Sequence, residues 1–123
     1  MKGNCVKLVI LDTNALLAQF QFRIDIKDEL FRLLGAYEIL IPSSVLDELD
    51  NVKDRYARVA RKFAERFRVI TTDKKGDESI LALAREMRTI VVTNDKALRK
   101  RLKTEGISVI YLRQKKYLAL DTA

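Results

Sequence analysis

Five short apolar runs alternate along this chain with segments of helical period, and that alternation restricts the fold more than any other feature. VKLVIL at 6–11 reads as a buried central strand and YEILI at 37–41 as a second; RVIT at 68–71, TIVVT at 89–93 and ISVIYL at 107–112 supply three more. ALLAQFQF at 15–22 opens a short helix or turn. Asp25 then caps DIKDELFRLL, in which Ile26, Leu30, Phe31 and Leu34 recur at intervals of three and four until Gly35 stops the helix. Pro42 ends the second strand because its missing N–H has no place inside a sheet ladder, and Ser43 or Ser44 caps the helix of SSVLDELDNV. From Arg55 to Phe67, Tyr56, Val59, Ala60, Phe63, Ala64 and Phe67 form one apolar stripe. Residues 77–87 return to helical spacing through Ile80, Leu81, Ala84 and Met87. Asn94 or Asp95 starts a last helix that runs through Lys103 and is closed by Gly106. Strands separated by helices imply βαβ units, hence an α/β fold with a central, mostly parallel sheet covered by helices on both faces.

The 123 residues fit one domain, 1–123, and cannot support two cores. Its last stretch, 113–123, is expected to pack through Tyr117, Leu118 and Leu120 on the body or on a second copy. No apolar run approaches the roughly 18 residues needed to span a membrane. MKGNCVKLVILDTN reaches Asp12 too early for a secretory signal, so a cytoplasmic protein is expected. Cys5 is the only cysteine, which excludes an internal disulfide, and it is expected to be a buried or half-buried side chain near the first strand. With no histidine, imidazole bases and histidine zinc sites are excluded as well. Chemistry is left to carboxylates, hydroxyls, lysine or a bound metal.

Four acids, Asp12, Glu48, Asp77 and Asp95, stand at comparable places. Asp12 and Asp95 each follow a strand, Asp77 opens a helical segment, and Glu48 lies one turn into another. Parallel sheets gather ligands beyond the carboxyl ends of their strands, so such a fold would bring these acids together. Like charges held close raise each other's pKa unless a cation neutralises them. A divalent-metal site acting on a polyanion follows, given the net charge of +7. Taken singly, each acid has a plainer role: Asp95 as a helix cap, Asp77 as a partner of a helix dipole, Glu48 as one of three neighbouring acids in VLDELD.

LDTN at 11–14, PSSVLDEL at 42–49, GDESIL at 76–81 and VTNDKAL at 92–98, in this order, resemble the PIN-domain nuclease family over essentially the whole chain. GISVIYLRQKKYLAL is similar to the archaeal, VapC-like branch related to the eukaryotic PIN endonuclease of small-subunit ribosomal RNA processing. The resemblance implies a metal-dependent endoribonuclease, serving ribosomal RNA processing or acting as the toxin of a toxin–antitoxin pair. It implies metal-binding acids at Asp12, Glu48, Asp77 and Asp95, with Asn14 bracing the first acid, Thr93 beside the last, and Glu78 as a fifth acid. One or two Mg²⁺ or Mn²⁺ ions suit an all-oxygen donor set, whereas zinc prefers His or Cys. A homodimer and an antitoxin or ribosome-assembly partner are also implied.

Basic residues supply an RNA surface. From Lys53 to Lys75 there are nine Lys or Arg and three acids; Arg55, Arg58 and Lys62 lie opposite the apolar stripe, and Lys74 and Lys75 directly precede Asp77. Lys96, Arg99 and Lys100 follow Asp95 on one side of their helix. Such groups hold phosphates without reading bases. Tyr56 belongs with the core stripe, while Tyr111 and Tyr117 are candidates for base stacking. The rival reading is a non-catalytic or partner-activated RNA-binding protein on the same fold. A phosphoacceptor signalling domain is disfavoured, because YEILIPS places Pro and Ser where the acceptor Asp would stand.

Overall fold

The computed structural model describes residues 6–122, so the expectation for Cys5 lies outside the described residues. The chain runs β1 (Lys7–Leu11), α1 (Thr13–Gln21), α2 (Ile26–Leu34), β2 (Tyr37–Pro42), α3 (Ser43–Asn51), α4 (Ala57–Ala64), β3 (Arg68–Ile70), α5 (Gly76–Met87), β4 (Ile90–Val92), α6 (Lys96–Thr104), β5 (Val109–Arg113) and β6 (Tyr117–Asp121). The strands form one sheet in the order β3-β2-β1-β4-β5-β6. All neighbours are parallel except the β5–β6 pair.

Strand alternation sorts the core onto two faces. Val9, Leu11, Ile39, Ile41, Val92 and Ile110 pack with Leu16, Leu30, Val45, Leu49, Ala60 and Ala64 of α1–α4. Ile10, Leu40, Val91 and Val109 pack on the other face with Ile80, Leu81 and Ala84 of α5 and Leu98 and Leu102 of α6. The chain builds outward from β1 to β3, then returns over the opposite face through α5 to place β4 on the free side of β1. Strand order therefore reverses between β1 and β4, the position at which α/β sheets open a crevice.

Several local expectations are corrected. Neither Ser43 nor Ser44 caps α3: Pro42 is the cap residue, without a side-chain bond. The Ser43 hydroxyl instead accepts from the Thr72 N–H at 3.0 Å, and Ser44 and Ser79 hydroxyls pair at 2.7 Å, tying α3 to the loop after β3 and to α5. Pro42 is the last residue of β2, where the ladder with β3 ends at Ile70 and little N–H pairing is forfeited. The helix expected from Arg55 to Phe67 spans only Ala57–Ala64, and Val59 leaves the stripe for solvent at 42% exposure. Phe31, at 66%, likewise lies outside the core.

The last stretch forms β6, an antiparallel edge strand with Arg113 opposite Tyr117 and Val109 opposite Asp121. Gln114 and Lys115 both take φ of 56° and the Lys116 N–H reaches the Arg113 carbonyl at 3.1 Å, a turn whose twist matches the paired strands. Two residues of α2 fasten the strand: the Arg32 guanidinium donates to the Leu118 carbonyl at 2.7 Å, and the Leu118 N–H donates to Glu29 at 2.8 Å. No described helix is long and apolar enough to cross a membrane.

Candidate active site

Asp12 and Asp95 emerge at the reversal of strand order because Asp12 directly follows β1, Asp95 lies three residues beyond the end of β4, and each caps the helix that comes next. The Asp12 carboxylate accepts from the Ala15 N–H at 2.7 Å, and that of Asp95 accepts from Ala97 and Leu98 at 2.9 and 3.1 Å. Capping and site placement are thus compatible, since a carboxylate has four lone-pair directions and each cap uses one oxygen. Thr93, fully buried, joins the two acids: its hydroxyl bonds to the Asp12 carboxylate and accepts the Asp95 N–H at 3.1 Å.

Glu48 reaches the same space from α3, held by a hydrogen bond from the Thr13 hydroxyl, and Asp77 enters from the first turn of α5. A cavity of about 430 Å³ is lined by Asp12, Thr13, Asn14, Glu48, Asp77 and Asp95. Burial pushes the Asp12 carboxyl up from 3.8 to about 6; the charges of Asp95 and Asp77 add to the rise, while Thr93 and the Ala15 N–H oppose it. Asp77 is also raised, first by burial, then by Asp95, Glu48 and Glu78, against the Arg101 guanidinium. Three elements beyond β1 therefore contribute like charge to one open cavity, in which Asp12 alone among the acids is buried.

The acids share this cavity without closing into a ligand shell. Among the described residues, no three His, Cys, Asp or Glu side chains form a group able to hold a metal ion. In this arrangement Asp12 and Asp95 each engage helix N–H groups through one oxygen, and Glu48 accepts from Thr13. Glu78 is directed elsewhere, onto Arg101 at 2.7 Å. Asn14 is exposed and lines the cavity, but no hydrogen bond joins it to Asp12 among the described residues; Thr93 and Ala15 hold that acid instead.

Thr13 and Arg101 are the site neighbours that the sequence did not single out. Each acts on a residue distant in sequence, Thr13 on Glu48 and Arg101 on Glu78 and Asp77, and no local pattern marks such a contact. Lys74 and Lys75 line a depression of about 520 Å³ that shares Glu48, Asn51 and Gly76 with the acid cavity. Lys96, Arg99 and Lys100 line a groove along α6, with the Arg99 guanidinium 4.1 Å from the centre of the Tyr111 ring. Arg55, Arg58 and Lys62 are exposed around α4 and do not line the acid cavity. Tyr56 packs partly buried against the core, and Tyr117 opens β6.

Thr93→Val tests the link between the two strand-end acids. Removing its hydroxyl is expected to lower stability by about 1–2 kcal/mol. It also removes a bond that favours ionised Asp12, so the Asp12 titration followed by carboxyl NMR moves further upward. An unchanged titration would mean that Thr93 does not hold this carboxylate.

A family model described as a PIN like domain matches residues 9–115. Ribonuclease VapC9 of Archaeoglobus fulgidus is 34% identical over 127 residues, covering 98% of this chain and 93% of that protein. Ribonuclease VapC4 of Methanocaldococcus jannaschii is 32% identical over 124 residues, covering 91% and 95%. Among solved structures, the PIN domain endonuclease Utp24 superposes with a TM-score of 0.82 at 28% identity, over 94% of this chain and 92% of the other.

Proposed function

The chain belongs to the PIN-domain family, in its VapC-like branch, and from that premise we propose that it is a divalent-metal-dependent endoribonuclease acting at the cavity of Asp12, Glu48, Asp77 and Asp95. The observation that carries this reading is Asp12, buried at the reversal of strand order and raised to about 6 among other carboxylates. A fold that buries one carboxylate beside others suits a cation as counter-charge, and the donors present are hard oxygens that fit Mg²⁺ or Mn²⁺. Asp12 and Asp95 would hold the metal, one ion or two, with Glu48 and Asp77 completing its surroundings. When bound, it supplies Lewis-acid charge that makes water nucleophilic near neutral pH and offsets charge on the phosphodiester.

The chain's own residues set the rest. Thr93 fixes the relation of Asp12 to Asp95, Thr13 sets the reach of Glu48, and Asn14 is placed to position water or a carboxylate at the cavity wall. Glu78, paired with Arg101, acts on the site through the charge around Asp77. Lys74 and Lys75 hold phosphates beside the cavity, and Lys96, Arg99 and Lys100 continue the track along α6. Arg55, Arg58 and Lys62 extend the attraction at longer range, consistent with the net charge of +7.

A second reading has its own support. The carboxylates do not stand as a ready ligand group, which favours a site completed only when metal, RNA or a partner arrives. On that reading the protein is a partner-activated or non-catalytic RNA-binding factor in ribosome assembly. The relatives named ribonuclease VapC support a toxin held by an antitoxin, and the likeness to an endonuclease supports a processing role. A homodimer is compatible with either.

The test is cleavage of end-labelled single-stranded and structured RNA with Mn²⁺ or Mg²⁺, beside an EDTA control. Metal-dependent cutting is expected. RNA affinity should fall about tenfold or more as salt rises several-fold, and Lys74→Ala with Lys75→Ala should lessen that salt dependence. RNA binding without cutting under any metal would hand the function to the second reading.

A further inference from the structure

β6 closes the sheet on one side, and hydrogen bonding fixes which of its residues look outward. The Val91 and Thr93 N–H groups donate to Ser108 and Ile110, and the Asn94 amide pairs with both backbone groups of Leu112. Ser108, Ile110 and Leu112 therefore turn their backbone to the β4 side, which leaves Val109, Tyr111 and Arg113 to pair with β6. Opposite these stand Asp121, Ala119 and Tyr117, so Leu118 and Leu120 present their N–H and C=O groups off the open edge. Such a row is a template for another strand. At Leu118 the row is occupied. The Glu29 carboxylate accepts its N–H at 2.8 Å, the Arg32 guanidinium donates to its carbonyl at 2.7 Å, and the two side chains pair with each other at 2.9 Å. Carboxylate and guanidinium thus stand in for the C=O and N–H of a neighbouring strand. Leu120 has no such side-chain partner among the described residues and is 37% exposed.

We propose that the Glu29–Arg32 pair is an autoinhibitory clasp, which denies the β6 edge to strand addition by a second copy of this chain. The opposite edge of the sheet needs no such device, because β3 has only 3 residues, Arg68–Ile70, and a very short edge strand resists pairing by itself. β6 has 5 residues and is long enough to accept a partner. The occupant follows from the strand's own register. When two β6 strands run antiparallel about a two-fold axis at Ala119, Leu118 faces Leu120 of the second copy, and Leu120 faces its Leu118. Directly opposed residues of this kind exchange two N–H···O bonds, so about four would form across the axis. Asp121 then lies opposite Tyr117 of the second copy and next to its Lys116, which brings opposite charges together at both ends. Leu118 and Leu120 share one face of the strand, so the exposed Leu120 side chain gains an apolar neighbour. With the clasp closed, Leu118 is taken on both copies and this register is lost.

The experiment compares the wild type with the double variant Glu29→Ala, Arg32→Ala, in EDTA and without RNA, so its outcome does not depend on the nuclease reading. Light scattering behind a sizing column reads mass over a range of concentrations, and backbone amide exchange reads pairing at the edge. The wild type is expected to show a protected Leu118 amide and a freely exchanging Leu120 amide. In the dilute double variant the Leu118 amide should exchange at least about tenfold faster. As concentration rises, the mass of the variant climbs toward double that of the wild type, and the Leu118 and Leu120 amides become protected together. Leu120→Pro removes an N–H that the edge pairing needs and the β5–β6 ladder does not, so adding it returns the mass to the wild-type value. A folded double variant that keeps the wild-type mass at every concentration overturns the clasp. Association that survives Leu120→Pro also overturns it, since it would use another surface. Should the double variant fail to fold, Arg32→Ala alone opens the Leu118 carbonyl to the Leu120 N–H of a second copy. Self-association of that variant, abolished by Leu120→Pro, supports the clasp, and its absence overturns it.

Discussion

Asp12→Asn is expected to abolish metal-dependent RNA cleavage, by about a thousandfold or more, while raising the melting temperature of the metal-free protein. The two effects have one origin. Asp12 is nearly completely buried, and its folded-state pKa of about 6 against 3.8 means that ionising it near neutral pH works against the fold. At about 1.4 kcal/mol per pH unit, that difference corresponds to roughly 3 kcal/mol. Asn keeps an oxygen for the Ala15 N–H but brings an amide N–H₂ into a buried place, so a net gain of about 1–2 kcal/mol, or several degrees, is expected. Calorimetry in EDTA and cleavage in Mn²⁺ check the two halves separately. A lower melting temperature would show that ionised Asp12 is a net stabilising partner of Ala15 and Thr93. Undiminished cleavage would remove Asp12 from the site.

How far the sequence discloses this arrangement depends on the range of the interaction. β1 and β4 are marked by apolar runs that end at Asp12 and near Asp95, so the two strand-end acids follow from local pattern and the geometry of parallel sheets. Glu48 and Asp77 sit on helices, where phase alone does not select one acid from its neighbours; the ordered set of motifs points to them. β6 is different. Its turn places Gln114 and Lys115 in left-handed backbone, and neither is the Gly or Asn that ordinarily announces such a hairpin. The clasp from Glu29 and Arg32 to Leu118 spans more than 80 residues and has no local signature. Ser43 and Ser44 show the same limit: a serine before a helix predicts a cap, but the loop after β3 and the helix α5 claim the two hydroxyls. The spacing of the carboxylates is also settled by tertiary partners, Thr13 for Glu48 and Arg101 for Glu78, which a single sequence does not reveal.

Stabilisation by Mn²⁺ is expected to be strongly pH-dependent, large near neutral pH and small near pH 5. A carboxyl whose folded pKa lies above its unfolded value contributes stability that is fully present below the unfolded pKa and lost as pH rises through the folded one. For Asp12 that window runs from about 4 to about 6, and the upward shift of Asp77 acts in the same direction. The metal-free protein should therefore lose this contribution between about pH 4 and 7. Bound cation reverses the penalty, because it interacts with the ionised carboxylates that otherwise repel one another. Below about pH 6 the metal must first displace the Asp12 proton, so its affinity falls as pH drops. Saturating metal at about a hundredfold over its dissociation constant adds roughly 2.7 kcal/mol, and the melting temperature rises accordingly. Glu29 and Glu105 have lowered pKa values and act in the opposite sense, with stability lost as pH falls; both are largely solvated, so their effect is small. Comparing the wild type with Asp12→Asn at each pH cancels these and any general acid expansion. The difference between the two proteins in EDTA should widen from pH 4 to 7, and Mn²⁺ should close it by stabilising the wild type alone. A metal-induced shift of equal size in both proteins, or one independent of pH, would place the cation away from Asp12.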